Sequence, residues 1–171
     1  MADRVVTGVR EGNAHPRIVA VNDLQRRGLV DILLTEPGPA QTWFFVSDRV
    51  VDGQADKWPE RWMRTGHHDG YGAALFYDEH PEPDNGEHIW LAHGRQPLVD
   101  PPTIYYDPQT PVIFPPRTVM PVSELRTVVL DWLDTGERPC SVEWTVINGL
   151  VWELTPEGDA VVWQPRRRRS T

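Results

Sequence analysis

The chain has 171 residues and a single cysteine, Cys140, so no internal disulfide can form. That excludes the disulfide-stapled class of small secreted domains. No apolar run approaches the roughly 18 residues that cross a bilayer. The opening stretch MADRVVTGVREGNAHPR lacks the basic-then-apolar order of a secretory signal. These absences predict a soluble, cytoplasmic protein without membrane contact. Catalytic signatures are missing too: there is no GxSxG, P-loop, GxGxxG, HExxH or CxxC. No internal repeat and no simple-composition segment longer than the final arginines is present.

What is abundant is proline, glycine and tryptophan, with 17, 13 and 8 copies. Proline fixes φ and removes a backbone donor, so this level predicts short elements joined by stiff connections. A chain of this length forms one domain with a sizeable core, over residues 1–165. Residues 166–171, which include Arg166 to Arg169, read as a basic, disordered tail.

The net charge of −8 is unevenly spread. Residues 1–77 are nearly balanced, with 9 basic and 10 acidic side chains, whereas residues 78–165 carry 4 basic and 15 acidic ones. An acidic body of that kind repels phosphate backbones and attracts a basic partner. No nucleic-acid binding is expected, and the arginine tail is read as a solvated end.

The most regular stretch is PVSELRTVVLDWLDTGERP. Val122, Leu125, Val128, Val129, Trp132 and Leu133 gather on one helical face. Ser123 is placed to cap the start, Glu124 suits the positive end of the helix dipole, and Gly136 and Pro139 mark the stop. The spacing predicts a helix over 124–135. Beyond it, CSVEWTVI, the pair Asn148-Gly149 and LVWEL predict two strands joined by a two-residue hairpin.

That reading gives the reactive-looking residues of DWLDTGERPCSVEW structural roles. Cys140, at the start of a strand, reads as a small buried hydrophobe. Trp132 and Trp144 read as a helix–sheet packing contact, and Asp131, Asp134 and Glu137 as a solvated face.

Nearer the start, NDLQRRGLVDILLTEPG predicts a helix capped by Asn22 or Asp23, with Leu24, Val30, Leu33 and Leu34 inward. Strands are expected at 5–9, 18–21, 42–46, 49–51, 71–78, 88–94, 103–106, 112–114 and 160–163. Residues 52–69 have no clean period and read as an irregular connection, with Trp58 and Trp62 in one helical contact. The whole predicts an α+β domain: a mostly antiparallel sheet with two helices packed on it.

Six histidines raise a metal hypothesis, since His67, His68, Asp69, His80, His88 and His93 lie close in sequence. Zinc needs three or four converging ligands, usually announced by a spacing pattern that is missing here. A small metal-dependent hydrolase built on His67, His68, Asp69 and either His88 or His93 is the alternative reading. No cofactor is expected on the leading one.

Several segments, in this order, carry a resemblance: GAALFY, the Trp-bearing HIWLAHG, IFPPRTVMPVSELRTVVLDWL entering a helix, and TGERPCSVEW. Over about residues 71–152, and best over Phe114 to Trp144, the chain resembles the first-numbered immunity family of bacterial polymorphic toxin systems. The resemblance implies a non-catalytic α+β protein that binds and neutralises a toxin encoded beside it, often a deaminase. It also implies structural roles for Trp144 and the turn Thr135 to Pro139, and transfers no binding residue.

The leading expectation is therefore a non-enzymatic antitoxin that covers the substrate cleft of a basic deaminase or nuclease toxin. Its expected contact residues are Asp78, Glu79, Glu82, Asp84 and Glu87 in the acidic connection DEHPEPDNGE, with Trp90 as an anchor.

Overall fold

The computed structural model describes residues 4–10, 17–35, 40–51, 59–81, 88–107, 112–155 and 158–165, with side chains described as far as 147. The elements in chain order are β1 (Val5–Arg10), β2 (Arg17–Ala20), α1 (Asp23–Thr35), β3 (Ala40–Ser47), β4 (Arg61–His68), β5 (Tyr71–Asp78) and β6 (Ile89–His93). They continue with β7 (Tyr105–Asp107), β8 (Val112–Ile113), a short 3-10 turn (Pro116–Thr118), β9 (Met120–Pro121), α2 (Val122–Thr135), β10 (Glu143–Thr155) and β11 (Gly158–Pro165).

Among the described residues the strands form one sheet in the order β2-β1-β3-β4-β5-β6-β10-β11-β8-β7, with β9 paired to β5. The pairings are antiparallel except where β11 meets β8, at Val161 and Val112. The fold is α+β, with both helices on one face of the sheet.

Strand alternation divides the side chains between two cores. Phe44, Met63, Ala74, Phe76, Trp90 and Ala92 face α1 and α2, whose buried stripes include Leu29, Val30 and Leu33 on α1 and Leu125, Val129 and Trp132 on α2. Ala73, Leu75, Leu91 and Ile147 face the other way and are covered by Ile104, Val112, Phe114 and Val119. The chain beyond β6 thus folds back over the second face of the central strands. There Gly66 is required: a Cβ on it would lie 2.5 Å from the backbone oxygen of Tyr105. That oxygen also accepts from Gln41 Nε2 at 3.2 Å.

α2 ends as the sequence predicts, with Gly136 at φ 72° and its N–H bonded to the Trp132 carbonyl at 2.6 Å. Its start differs. The helix begins at Val122 with Pro121 in the cap position and no side-chain cap bond, so Ser123 lies inside the first turn rather than at the cap. Tertiary partners take over that end: the Val122 N–H donates to the Gly70 carbonyl at 2.8 Å, and Glu124 Oε1 accepts from the Arg95 N–H at 2.7 Å. In α1, Asn22 is the cap, its Oδ1 accepting from the Gln25 N–H at 2.9 Å. Leu24 lies on the outer side, 81 % exposed, rather than inward as expected.

Four further expectations are corrected. Residues 61–68, expected to be irregular, form the central strand β4, paired along its length with β3 and β5. Its Arg64 hides the polar–apolar period because the guanidinium is buried between the rings of Trp43 and Tyr106, 4.3 and 4.0 Å from their centroids. Asn148-Gly149 is not a hairpin turn. β10 runs through it with a register irregularity between Ile147 and Gly149, and the hairpin to β11 closes between Thr155 and Gly158. Residues 49–51 form no strand; Val51 is tied back by its N–H to Thr7 Oγ1 at 3.3 Å. Cys140 is exposed, because β10 begins only at Glu143. The basic tail lies outside the described residues.

Candidate functional site

The acidic connection begins where β5 ends, at Asp78. Two backbone bonds fix its foot: Asp78 N–H to the His88 carbonyl at 3.1 Å, and Glu79 N–H to the Glu60 carbonyl at 2.8 Å. The side chain of Asp78 is turned inward, 6 % exposed, with Oδ2 at 2.8 Å from Arg61 Nε and Oδ1 accepting from the His80 N–H at 3.0 Å. Arg61 Nη1 reaches Glu137 Oε1 at 2.7 Å. One arginine therefore ties the foot of the acidic connection to the end of α2.

Of the expected contact residues, Asp78 is the anchor of this network and Glu79 stands half-buried beside it. Glu82, Asp84 and Glu87 lie outside the described residues. Trp90 was expected to present its ring to a partner, yet it is 5 % exposed. Its ring packs on Phe76 with centroids 5.8 Å apart, and the Arg138 guanidinium covers it at 4.5 Å. Its place on the helix-facing side of β6 commits it to the core, leaving Arg138 as the exposed group there.

The turn after α2 belongs to the same end of the sheet. Arg4 Nη1 donates to the Thr135 carbonyl at 2.7 Å, and Trp144 Nε1 to the Pro139 carbonyl at 2.7 Å. Phe76 receives the edges of both Trp132 and Trp144, at centroid distances of 6.2 and 6.1 Å. The helix and β10 are thus joined through Phe76, as packing partners rather than as a reactive pair. Arg4 and Arg61 escaped the sequence reading, because their roles come from strands and turns far apart in the chain.

The histidines are scattered by the sheet. His67 and His68 are consecutive in β4 and point to opposite faces; His68 Nε2 lies 3.3 Å from Asp69 Oδ2. His67 is buried, and that burial, followed by the charges of Arg10 and His68, lowers its pKa to about 4. His88 sits at the other end of the sheet, its Nδ1 3.1 Å from the Asp78 carbonyl oxygen. His93 is bonded to Thr145 Oγ1. Among the described residues no three His, Cys, Asp or Glu side chains are grouped so as to hold a metal. No helix there is long and apolar enough to cross a membrane.

The Arg61 end thus holds one arginine between two carboxylates and a braced start to the acidic connection. No curated protein and no solved structure matches the chain. The family described as immunity protein Imm1 matches residues 27–146. That match reaches from α1 into β10 and includes β3 and β4, in the half that the sequence resemblance did not cover. Since it takes in well over half of the chain, the chain belongs to the Imm1 family of immunity proteins.

Proposed function

We propose that this immunity protein neutralises a cognate toxin of a bacterial polymorphic toxin system, a nucleic-acid deaminase or nuclease, by binding over its substrate cleft in the cytoplasm. The observation that carries the reading is the charge of the acidic connection, DEHPEPDNGE, together with the bracing of its foot. The segment holds five carboxylates and no lysine or arginine. An enzyme acting on nucleic acid presents a basic cleft, and a carboxylate-rich surface is complementary to it. Arg61 and the two backbone bonds at Asp78 and Glu79 hold the start of that connection in place, which reduces the entropy lost on docking. Glu79, Glu82, Asp84 and Glu87 are the contact residues on this reading. Asp78 supports them from below, and Trp90 supports Arg138.

The test is inhibition of the toxin domain encoded by the adjacent reading frame. Its activity on nucleic acid should fall to zero at one equivalent of the chain, and excess substrate should slow the onset of inhibition. Full toxin activity at a large excess of the chain would overturn the reading. Inhibition indifferent to substrate would move the contact away from the cleft.

A further inference from the structure

Seven large apolar side chains stand exposed among the described residues, and four of them, Val19, Val21, Leu24 and Ile32, fall between positions 19 and 32. Single exposed apolar groups are ordinary, whereas a cluster marks a contact surface. This cluster runs from β2 into α1 and lies at one edge of the sheet. There β2 pairs with β1 and, among the described residues, with no other strand.

The neighbours of α1 show which of its flanks is open. Leu29 and Leu33 point at the sheet, where they crowd Gly8 of β1. Arg26 and Asp31 reach across to α2, to Asp134 at 3.6 Å and to Arg126 at 2.5 Å. At about 100° per residue, the flank turned away from α2 and towards the β2 edge carries Gly28 and Ile32, with Leu24 beside them. Val21, in the link from β2, stands at its start. None of these positions is charged.

Gly28 lies at the centre of that flank, although glycine within a helix lowers its stability relative to alanine. Inside this chain nothing calls for it: a Cβ there would meet no atom within 4 Å. Gly8 differs, because a Cβ on it would run into Leu33. A glycine that no internal contact requires leaves room for a backbone arriving from outside.

We infer that this edge is a site of self-association, occupied by a second copy of the chain related by a two-fold axis, with α1 antiparallel to its counterpart. Leu24 and Ile32 lie four residues before and after Gly28. With Gly28 at the crossing, the two-fold sets each of them beside the other's counterpart, so the surface complements itself. On the solvent side of the stripe Arg27 is exposed and Asp31 half-buried, and the same axis brings Arg27 of each copy towards Asp31 of the other. The open edges of β2 are then antiparallel too, the orientation in which short strand edges pair. Copies of net charge −8 repel one another over most of their surface, and an uncharged strip bordered by opposite charges is where they can approach. That strip also lacks the carboxylates by which the acidic connection suits a basic toxin, so the two surfaces are separate.

Sedimentation velocity of the full chain, over a series from micromolar to submillimolar concentration, tests the inference. A monomer–dimer equilibrium should appear within that range. Gly28→Gln should weaken the dimer at least about tenfold yet raise the urea midpoint measured on the dilute chain, because glutamine favours helix and displaces no atom of its own chain. Leu24→Glu, at a side chain 81 % exposed, should abolish the dimer and leave that midpoint unchanged. A chain still monomeric at the highest concentration, or a dimer that both substitutions leave intact, would overturn the inference. A monomeric chain whose hold on its toxin is weakened by Leu24→Glu would overturn it too, and would assign this edge to the toxin. Dimerisation is measured without toxin, so its failure leaves the immunity role standing.

Discussion

Arg61 and Asp78 face each other as register partners in the β4–β5 pair, and their side chains close a contact of 2.8 Å between Nε and Oδ2. The first carboxylate of the acidic connection is thereby spent on holding the fold. Asp78→Ala should destabilise the chain by about 1–3 kcal/mol in urea unfolding, because it strands a partly buried arginine and frees the His80 N–H. Glu79→Ala should stay within about 0.5 kcal/mol. A cycle with Arg61→Ala should show coupling. Additive effects would remove the pair from the stability of this end.

Association with a basic toxin should depend on the other carboxylates. Replacing Glu79, Glu82 and Asp84 together by Lys should slow association at least about tenfold at low salt, with the gap closing as the Debye length falls towards about 8 Å at physiological ionic strength. Stopped-flow mixing across a salt series measures this. An unchanged rate at low salt would direct attention to the outer face of α2 at Asp131 and Asp134.

Trp132 carries the helix–sheet contact. Truncation to Ala should cost about 3–5 kcal/mol, as for other large buried aromatics. Asp131→Ala, on the outward side of the same helix, should cost no more than about 0.5 kcal/mol. Equal shifts in the urea midpoint would contradict the face assignment.

His67 makes the fold acid-sensitive. Its folded pKa of about 4 lies below the usual 6.5, so between those values the unfolded chain binds a proton that the folded chain refuses. Stability is therefore full above about pH 6.5 and falls as pH drops towards 4, by up to roughly 3 kcal/mol from this group. His93, lowered by its burial and by Arg117 against the opposing Glu143, adds in the same direction. His67→Gln should flatten the slope of unfolding free energy over that range; a slope unchanged by it would place the sensitivity elsewhere.

A chelator should leave the melting temperature of the purified chain unchanged, because a structural metal contributes directly to folding free energy. A fall of many degrees that zinc reverses would revive the His67, His68 and Asp69 reading.

How much was legible follows from where the information sits. α2 was legible because its stripe and its Gly136 stop are local; the start was misplaced because Gly70 and Arg95, remote in sequence, complete it. β4 was illegible because both of its faces are covered and Arg64 is buried between two rings, which erases the alternation that marks a half-exposed strand. Asn148-Gly149 misled because the chemistry that favours a tight turn also suits an irregularity within a strand. The immunity resemblance was readable from segments that lie in β5, β6 and α2 and lead into β10, and the family match extends it.

By itself the sequence determined the fold class, the acidic C-terminal body and the family, since periodicity, charge and short segments are properties of neighbouring residues. Only the tertiary structure decided that Asp78 is an anchor, that Trp90 is core, and that Arg61 joins the acidic connection to the end of α2. Those outcomes depend on strand register and on which face of the sheet each helix covers. They are set by contacts between residues distant in the chain, which no local pattern encodes.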